Sequence, residues 1–324
     1  MIRRRDFITL LGGAAAVWPL AARAQQPEMP VIGFLYGASA EAVPAFLRGL
    51  AETGYVEGRN VAIEYRRAEA PRYDLLRVLA AELVSHRVAV LFAPNNVSAL
   101  AAKAVTSTSP IVFTTSEDPV QQGLVASLNR PGGNITGVTL LNTELLPKRL
   151  EVLHELLPSA RNIAVLLNPT TPNVETQSRE VQAAARTLGV GLHIVHASSE
   201  GDFDAAFARM VQRKADGLVI VPDPLFTLRS EQLAALTLRH AVPAIFQFLK
   251  FIEAGGLMSY GGSAAEIGHL VGLYTGRILK GEKPADLPVQ QITRIKLIIN
   301  LKTAKALGLT FPITLLGRAD EVIE

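Results

Sequence analysis

The chain has 324 residues, 49% of them hydrophobic and 19% charged, with 25 Gly, 19 Pro and no Cys. That length holds two domains with cores of their own, and the apolar content excludes a mainly disordered chain. The missing cysteine excludes disulfide scaffolds, thiolate metal sites, iron–sulfur clusters, cysteine nucleophiles and a lipidated N-terminal Cys. The net charge of +3 is local: with Arg3, Arg4, Arg5, Arg23 and the lone acid Asp6 set aside, bases and acids balance, which leaves no footprint for a nucleic-acid partner.

Residues 1–24 read as an export signal. Met1–Arg5 is a cationic start, Phe7–Leu20 an apolar run, and Ala22-Arg23-Ala24 a small-x-small cleavage site. Arg4-Arg5-Asp6-Phe7-Ile8 resembles the twin-arginine motif, and the Sec route stays open. The apolar run is shorter than the ~20 residues of a spanning helix. No later run is long enough either, so the mature chain is expected to have no membrane span and to work in the periplasm.

After the signal, short apolar runs alternate with amphipathic stretches. Strands are predicted at Val31–Tyr36, Val61–Tyr65, Val88–Ala93 and Ile111–Thr115, and helices at Val43–Thr53, Tyr73–His86, Ser98–Thr106 and Val120–Asn129. Thr136–Leu141 follows a Gly132-Gly133-Asn134 turn and marks the first crossing between lobes. A second series has strands at Asn162–Leu167, Leu192–His196, Gly217–Val221 and Pro243–Phe246. Its helices are Pro147–Leu157, Val174–Leu188, Phe203–Arg213 and Ser230–His240. Leu257–Tyr260, a helix at Ala264–Leu279, Val289–Gln291 and Ile295–Leu301 complete the pattern. The rhythm predicts an α/β chain of two doubly wound, mostly parallel lobes with a cleft between them. The expected division is 28–141 with 256–288 for the first lobe, and 142–255 with 289–324 for the second.

Familiar catalytic equipment is missing. The chain has no P-loop, no dinucleotide fingerprint after the first strand and no Gly-x-Ser-x-Gly elbow. Of the six histidines only His193 and His196 are close in sequence, and three apart on a strand they point to opposite faces. No metal site and no cofactor are expected.

In such sheets ligands meet the loops at the carboxyl ends of the strands. Those loops supply the candidate ligand-binding residues Tyr36, Ser39, Asn95, Asn96, Thr115, Ser116, Asp118, Asn168, Asp223, Gln247 and Tyr260. A ligand amine would pair with Asp223 or with Glu117 and Asp118, and a carboxylate with hydroxyls and amides at Ser39, Asn95, Asn96 or Thr115. Each has a plainer reading. Ser39, Ser98 and Asn173 suit helix caps, and Asp118 and Asp223, each before a proline, suit tight turns.

Several blocks carry a family resemblance over essentially the whole mature chain. They are Gly49-Leu50-Ala51-Glu52-Thr53-Gly54-Tyr55-Val56-Glu57-Gly58-Arg59-Asn60, Pro110-Ile111-Val112-Phe113-Thr114, Asp118-Pro119-Val120 and Leu128-Asn129-Arg130-Pro131-Gly132-Gly133-Asn134-Ile135-Thr136-Gly137. Gly255-Gly256-Leu257-Met258-Ser259-Tyr260-Gly261 and Asn300-Leu301-Lys302-Thr303-Ala304-Lys305-Ala306-Leu307-Gly308-Leu309 continue it. Together they resemble the ABC-transporter substrate-binding proteins related to the tryptophan/tyrosine-type periplasmic receptors, which have the type I periplasmic-binding fold. The resemblance implies two lobes joined by three crossings that close on a small molecule, an amino acid or small aromatic acid, and deliver it to an ABC permease and its ATPase. It implies no enzyme activity. The loop Ala93-Pro94-Asn95-Asn96 departs from the small Gly/Thr-rich form expected there. Other readings are a sensory receptor without transport and an α/β hydrolase or racemase. A transcription regulator of this fold would need a helix-turn-helix where this chain has its export signal.

Overall fold

A computed structural model describes residues 29–36, 43–68, 72–140, 145–171 and 173–324. The export signal expected at residues 1–24 lies outside the described residues. Two sheets organise the rest, each with helices on both faces. The first has six strands in the order β11-β5-β4-β3-β1-β2, with β1 Val31–Tyr36, β2 Ala62–Arg67, β3 Val90–Ala93, β4 Ile111–Thr115, β5 Ile135–Thr139 and β11 Gln290–Gln291. The second has seven, in the order β13-β12-β10-β9-β8-β6-β7. Its strands are β6 Asn162–Leu167, β7 Gly191–His196, β8 Gly217–Ile220, β9 Ala244–Phe246, β10 Met258–Gly262, β12 Ile295–Asn300 and β13 Glu321–Ile323.

The paired strands run parallel, apart from β10 against β12. The central strands β3, β4, β5 and β8 are buried along their whole length. This explains why they read as continuous apolar runs: helices cover both faces of a parallel sheet. In the first lobe Phe34, Phe46 and Phe92 knit strand to helix, with the Phe46 and Phe92 rings stacked at 5.0 Å and Phe34 edge-on to both.

The expected seams shift at two places. Met258–Gly262 pairs with Ile295–Asn300 inside the second sheet, whereas the sequence places residues 256–288 in the first lobe. Gln290 and Gln291 pair with Val138 and Thr139 of the first sheet, whereas the sequence places 289–324 in the second lobe. The helix Ala264–Leu279 does lie in the first lobe, packed on the helix Val43–Glu52. The chain therefore crosses between sheets after β10 and again between β11 and β12.

The helix predicted over Val120–Asn129 does not form. Asp118 Oδ1 accepts from the Val120 amide at 2.8 Å, and the Leu124 and Val125 amides both turn back on the Pro119 carbonyl. Gly123 then takes a left-handed φ of 67°. A single tight turn results, because that φ cannot continue a right-handed helix. Among the described residues no helix is long and apolar enough to cross a membrane.

Candidate functional site

The carboxyl ends of β3, β4, β6, β8 and β9 face one another across a cleft with about 130 Å³ of interior space. That is close to the volume of an engineered cavity that takes up a single aromatic ring. From the first lobe the lining includes Asn95, Asn96, Thr115, Ser116 and Glu117. The second lobe contributes Thr171, Asn173, Asp223, Thr227, Gln247 and Phe248.

Each polar group is positioned by the element that delivers it. Asn95 caps the helix Asn96–Val105, its Oδ1 accepting from the Ser98 amide at 2.9 Å. The cap expected at Ser98 thus falls three residues earlier, and Ser98 itself is buried inside the helix. Asn96 opens that helix and is only 6% exposed. Its Nδ2 donates to Gln122 Oε1 at 3.3 Å, while its Oδ1 is buried without a hydrogen-bond partner. Beyond β4, the Thr115 hydroxyl donates to Glu117 Oε2 at 2.6 Å and accepts from the Glu117 amide at 3.1 Å. Asn173 Nδ2 reaches from the other lobe to Glu117 Oε1 at 2.8 Å, a hydrogen bond across the cleft. Its side chain makes no cap bond to the helix it precedes, contrary to the capping reading. Burial raises the Glu117 pKa above the usual carboxylate range, with the Thr115 and Asn173 bonds opposing it.

Asp223 plays two parts. Its Oδ1 caps the five-residue helix Pro224–Leu228 through the Leu225 and Phe226 amides, as the turn reading expected. Its Oδ2 accepts from Asn168 Nδ2 at 3.1 Å. Burial pushes its pKa up to about 6 against these hydrogen bonds, and the negative charge of Glu117 adds to the rise. Tyr73 of the first lobe stands near Asp223, and burial together with that carboxylate raises its phenol pKa.

Of the eleven candidates, Asn95, Asn96, Thr115, Ser116, Asp223 and Gln247 line the cleft. Asn168 stands behind it, holding Asp223 while its own Oδ1 accepts from Thr170. Asp118 is diverted into the turn already described. Tyr260 lies in β10 and packs against the core of the second sheet. Its carbonyl accepts from Nε of the buried Arg149 at 2.8 Å, so this residue braces the fold. Tyr36 ends β1 as expected, and Ser39 lies outside the described residues. The cleft adds Thr171, Thr227 and Phe248, which are not among the candidates; all follow strand ends, the one signal in the sequence that points to them.

A second hollow, of about 380 Å³, shares Gln247, Phe248 and Ala264 with the first. It is the larger, but it spreads over the face of the second sheet among Lys250, Lys296, Glu253 and Glu321. It has no carboxylate at the carboxyl end of a strand and draws on the first lobe only through the start of the helix Ala264–Leu279, so the smaller cleft is the candidate site. Among the described residues no group of three or more His, Cys, Asp or Glu could hold a metal ion.

Comparison with known proteins bears on this site. The family described as ABC transporter substrate binding protein matches residues 29–323. A tyrosine-binding protein of Clostridioides difficile is 27% identical over 269 residues, covering 83% of this chain and 77% of that protein. A conserved domain protein of Vibrio cholerae shares 27% identity, superposes with a TM-score of 0.82 and covers 91% of this chain and all of that one. A Streptococcus ABC domain in complex with L-Trp shares 25% identity with a TM-score of 0.78, covering 90% of this chain and all of that one. A ligand-free, open substrate-binding protein of Clostridium difficile has the same 25% identity and a TM-score of 0.62, covering 91% of this chain and 99% of that one.

Proposed function

Since the chain belongs to the ABC transporter substrate-binding proteins, with the type I periplasmic-binding fold, we propose that it captures an amine-bearing solute of the amino-acid class. Capture takes place outside the cytoplasm, after loss of residues 1–24, and the cargo passes to an ABC permease and its ATPase. One observation carries this reading: Glu117 and Asp223, brought by different sheets, line the same small cleft, and Asn173 bridges the two lobes at Glu117. An ammonium group is the natural partner of such carboxylates. The tyrosine-binding relative and the L-Trp complex support an amino-acid cargo. No covalent step is required. A ligand touching both lobes favours the closed arrangement by its differential affinity alone.

The described conformation is read as closed. It superposes better on the L-Trp complex than on the ligand-free open protein at the same identity, and a hydrogen bond spans its cleft.

The test is a thermal-shift screen of the purified chain against amino acids, aromatic acids, sugars and short peptides. At a hundred times its dissociation constant, cargo stabilises the fold by about 2.7 kcal/mol. An amino acid recovered chemically unchanged, with its shift abolished by Asp223→Ala, is the expected outcome. A ligand consumed during the assay, or a response confined to sugars, would overturn the reading.

A further inference from the structure

The charges that line the cleft are all of one sign. Glu117 and Asp223 are its only ionisable residues among the described lining, with no Lys, Arg or His beside them. The two carboxylates also sense each other, since the charge of Glu117 disfavours ionisation of Asp223.

The hydrogen-bonding inventory leans the same way. Several donors that could have held an anionic ligand are already spent inside the protein: the Thr115 hydroxyl and Asn173 amide on Glu117, the Asn168 amide on the Asp223 carboxylate, and the Thr227 hydroxyl on the Asp223 carbonyl. An acceptor is left over. Asn96 lines the cleft, and its Oδ1 is buried with no partner, a state that carries a desolvation penalty until an N–H group arrives.

From this juxtaposition of Glu117, Asp223 and the orphaned Asn96 Oδ1 we propose that the cleft selects cargo of net positive charge. Such cargo is an amine without a carboxylate or an amino acid with a second basic group, in preference to a neutral zwitterion. The proposal rests on the reading above that this cleft is the cargo site, and it narrows the chemical class. A zwitterion compensates one carboxylate and brings in another, leaving the cleft with an uncancelled negative charge. A cation meets both acids and can give its remaining N–H to Asn96.

Matched ligands of one shape and different charge test this by titration calorimetry on the full chain. One series is tyramine, L-tyrosine and 4-hydroxyphenylacetate; a second is isopentylamine, L-leucine and 4-methylpentanoate; L-lysine and L-arginine complete the set. The expected result is at least tenfold tighter binding of the cation than of its zwitterion in any series that binds, or of the basic amino acids over L-leucine. In Glu117→Gln that ratio should fall to within about twofold of unity. Zwitterions binding as tightly as the cations overturn the charge proposal and leave amino-acid capture standing. If nothing in the set binds to a chain whose circular dichroism shows it folded, both readings fall. The wild-type series is decisive by itself should Glu117→Gln fail to fold.

Discussion

At the scale of single residues, Asp223 is both a helix cap and a carboxylate lining the cleft. It is 4% exposed, held by two backbone amides and Asn168, yet burial still raises its pKa from 3.8 to about 6. For an acid raised in the folded state, the native protein binds more protons than the unfolded chain between those two values. Stability from this group is therefore present below about pH 4 and lost as pH rises through about 6. Melting of the ligand-free protein and of Asp223→Asn should show it: the wild type should lose stability relative to the variant from pH 4 to pH 7. A constant difference across that range would contradict it. Sequence alone placed Asp223 at a strand end and weighed a turn against a ligand contact. The structure shows the turn, with Oδ1 facing the helix start, and keeps the carboxylate on the border of the cleft. Between Glu117 and Asp118 the choice was not legible. The proline after Asp118 turns that side chain to cap the Val120 amide, which leaves Glu117 to the cleft.

Among the elements, the tightest contact is between the helices Val43–Glu52 and Ala264–Leu279. A Cβ added at Gly49 would sit 2.0 Å from the His269 carbonyl oxygen, and one at Gly272 would sit 2.1 Å from that of Phe46. These are backbone atoms, which a rotamer change cannot move aside. Gly272→Ala should therefore separate the helices and cost about 1–3 kcal/mol or more, read as a fall in the denaturant midpoint at constant slope. A cost below about 0.5 kcal/mol would mean the helices can part freely. The sequence placed both helices well, since their apolar faces repeat at helical spacing. It could not show that they touch, because Gly49 and Gly272 lie far apart in the chain. The same limit explains the missing helix after β4: residues 120–129 have a passable helical composition, but the turn around Pro119 and Gly123 takes their backbone bonds.

At the scale of the whole molecule, the hydrogen bond from Asn173 to Glu117 ties the two lobes across the cleft. A hydrogen bond to a charged group contributes about 1.5–3 kcal/mol net, enough to move an open–closed equilibrium about tenfold or more. Asn173→Ala should thus shift the ligand-free protein towards a larger radius of gyration in small-angle scattering, and saturating cargo should restore the compact form. An unchanged radius in the variant would show that closure does not depend on this bridge.

The alternation of elements, the two-lobed α/β class, the family and the set of loops from which a site could be built are all legible in the residues alone. These are local properties: periodicity records which face of each segment is buried, and strand ends follow from it. Which sheet each late strand joins, and which loop residues meet, depends on the folded chain. Met258–Gly262 and Gln290–Gln291 join the opposite lobes from those the sequence predicts, because strand pairing is a contact between distant segments that no window of sequence contains. For the same reason Tyr260 became a brace for Arg149, while Asn173, read as a possible cap, became the link between lobes. A residue's chemistry is carried in its own side chain, but its partner is supplied by the fold.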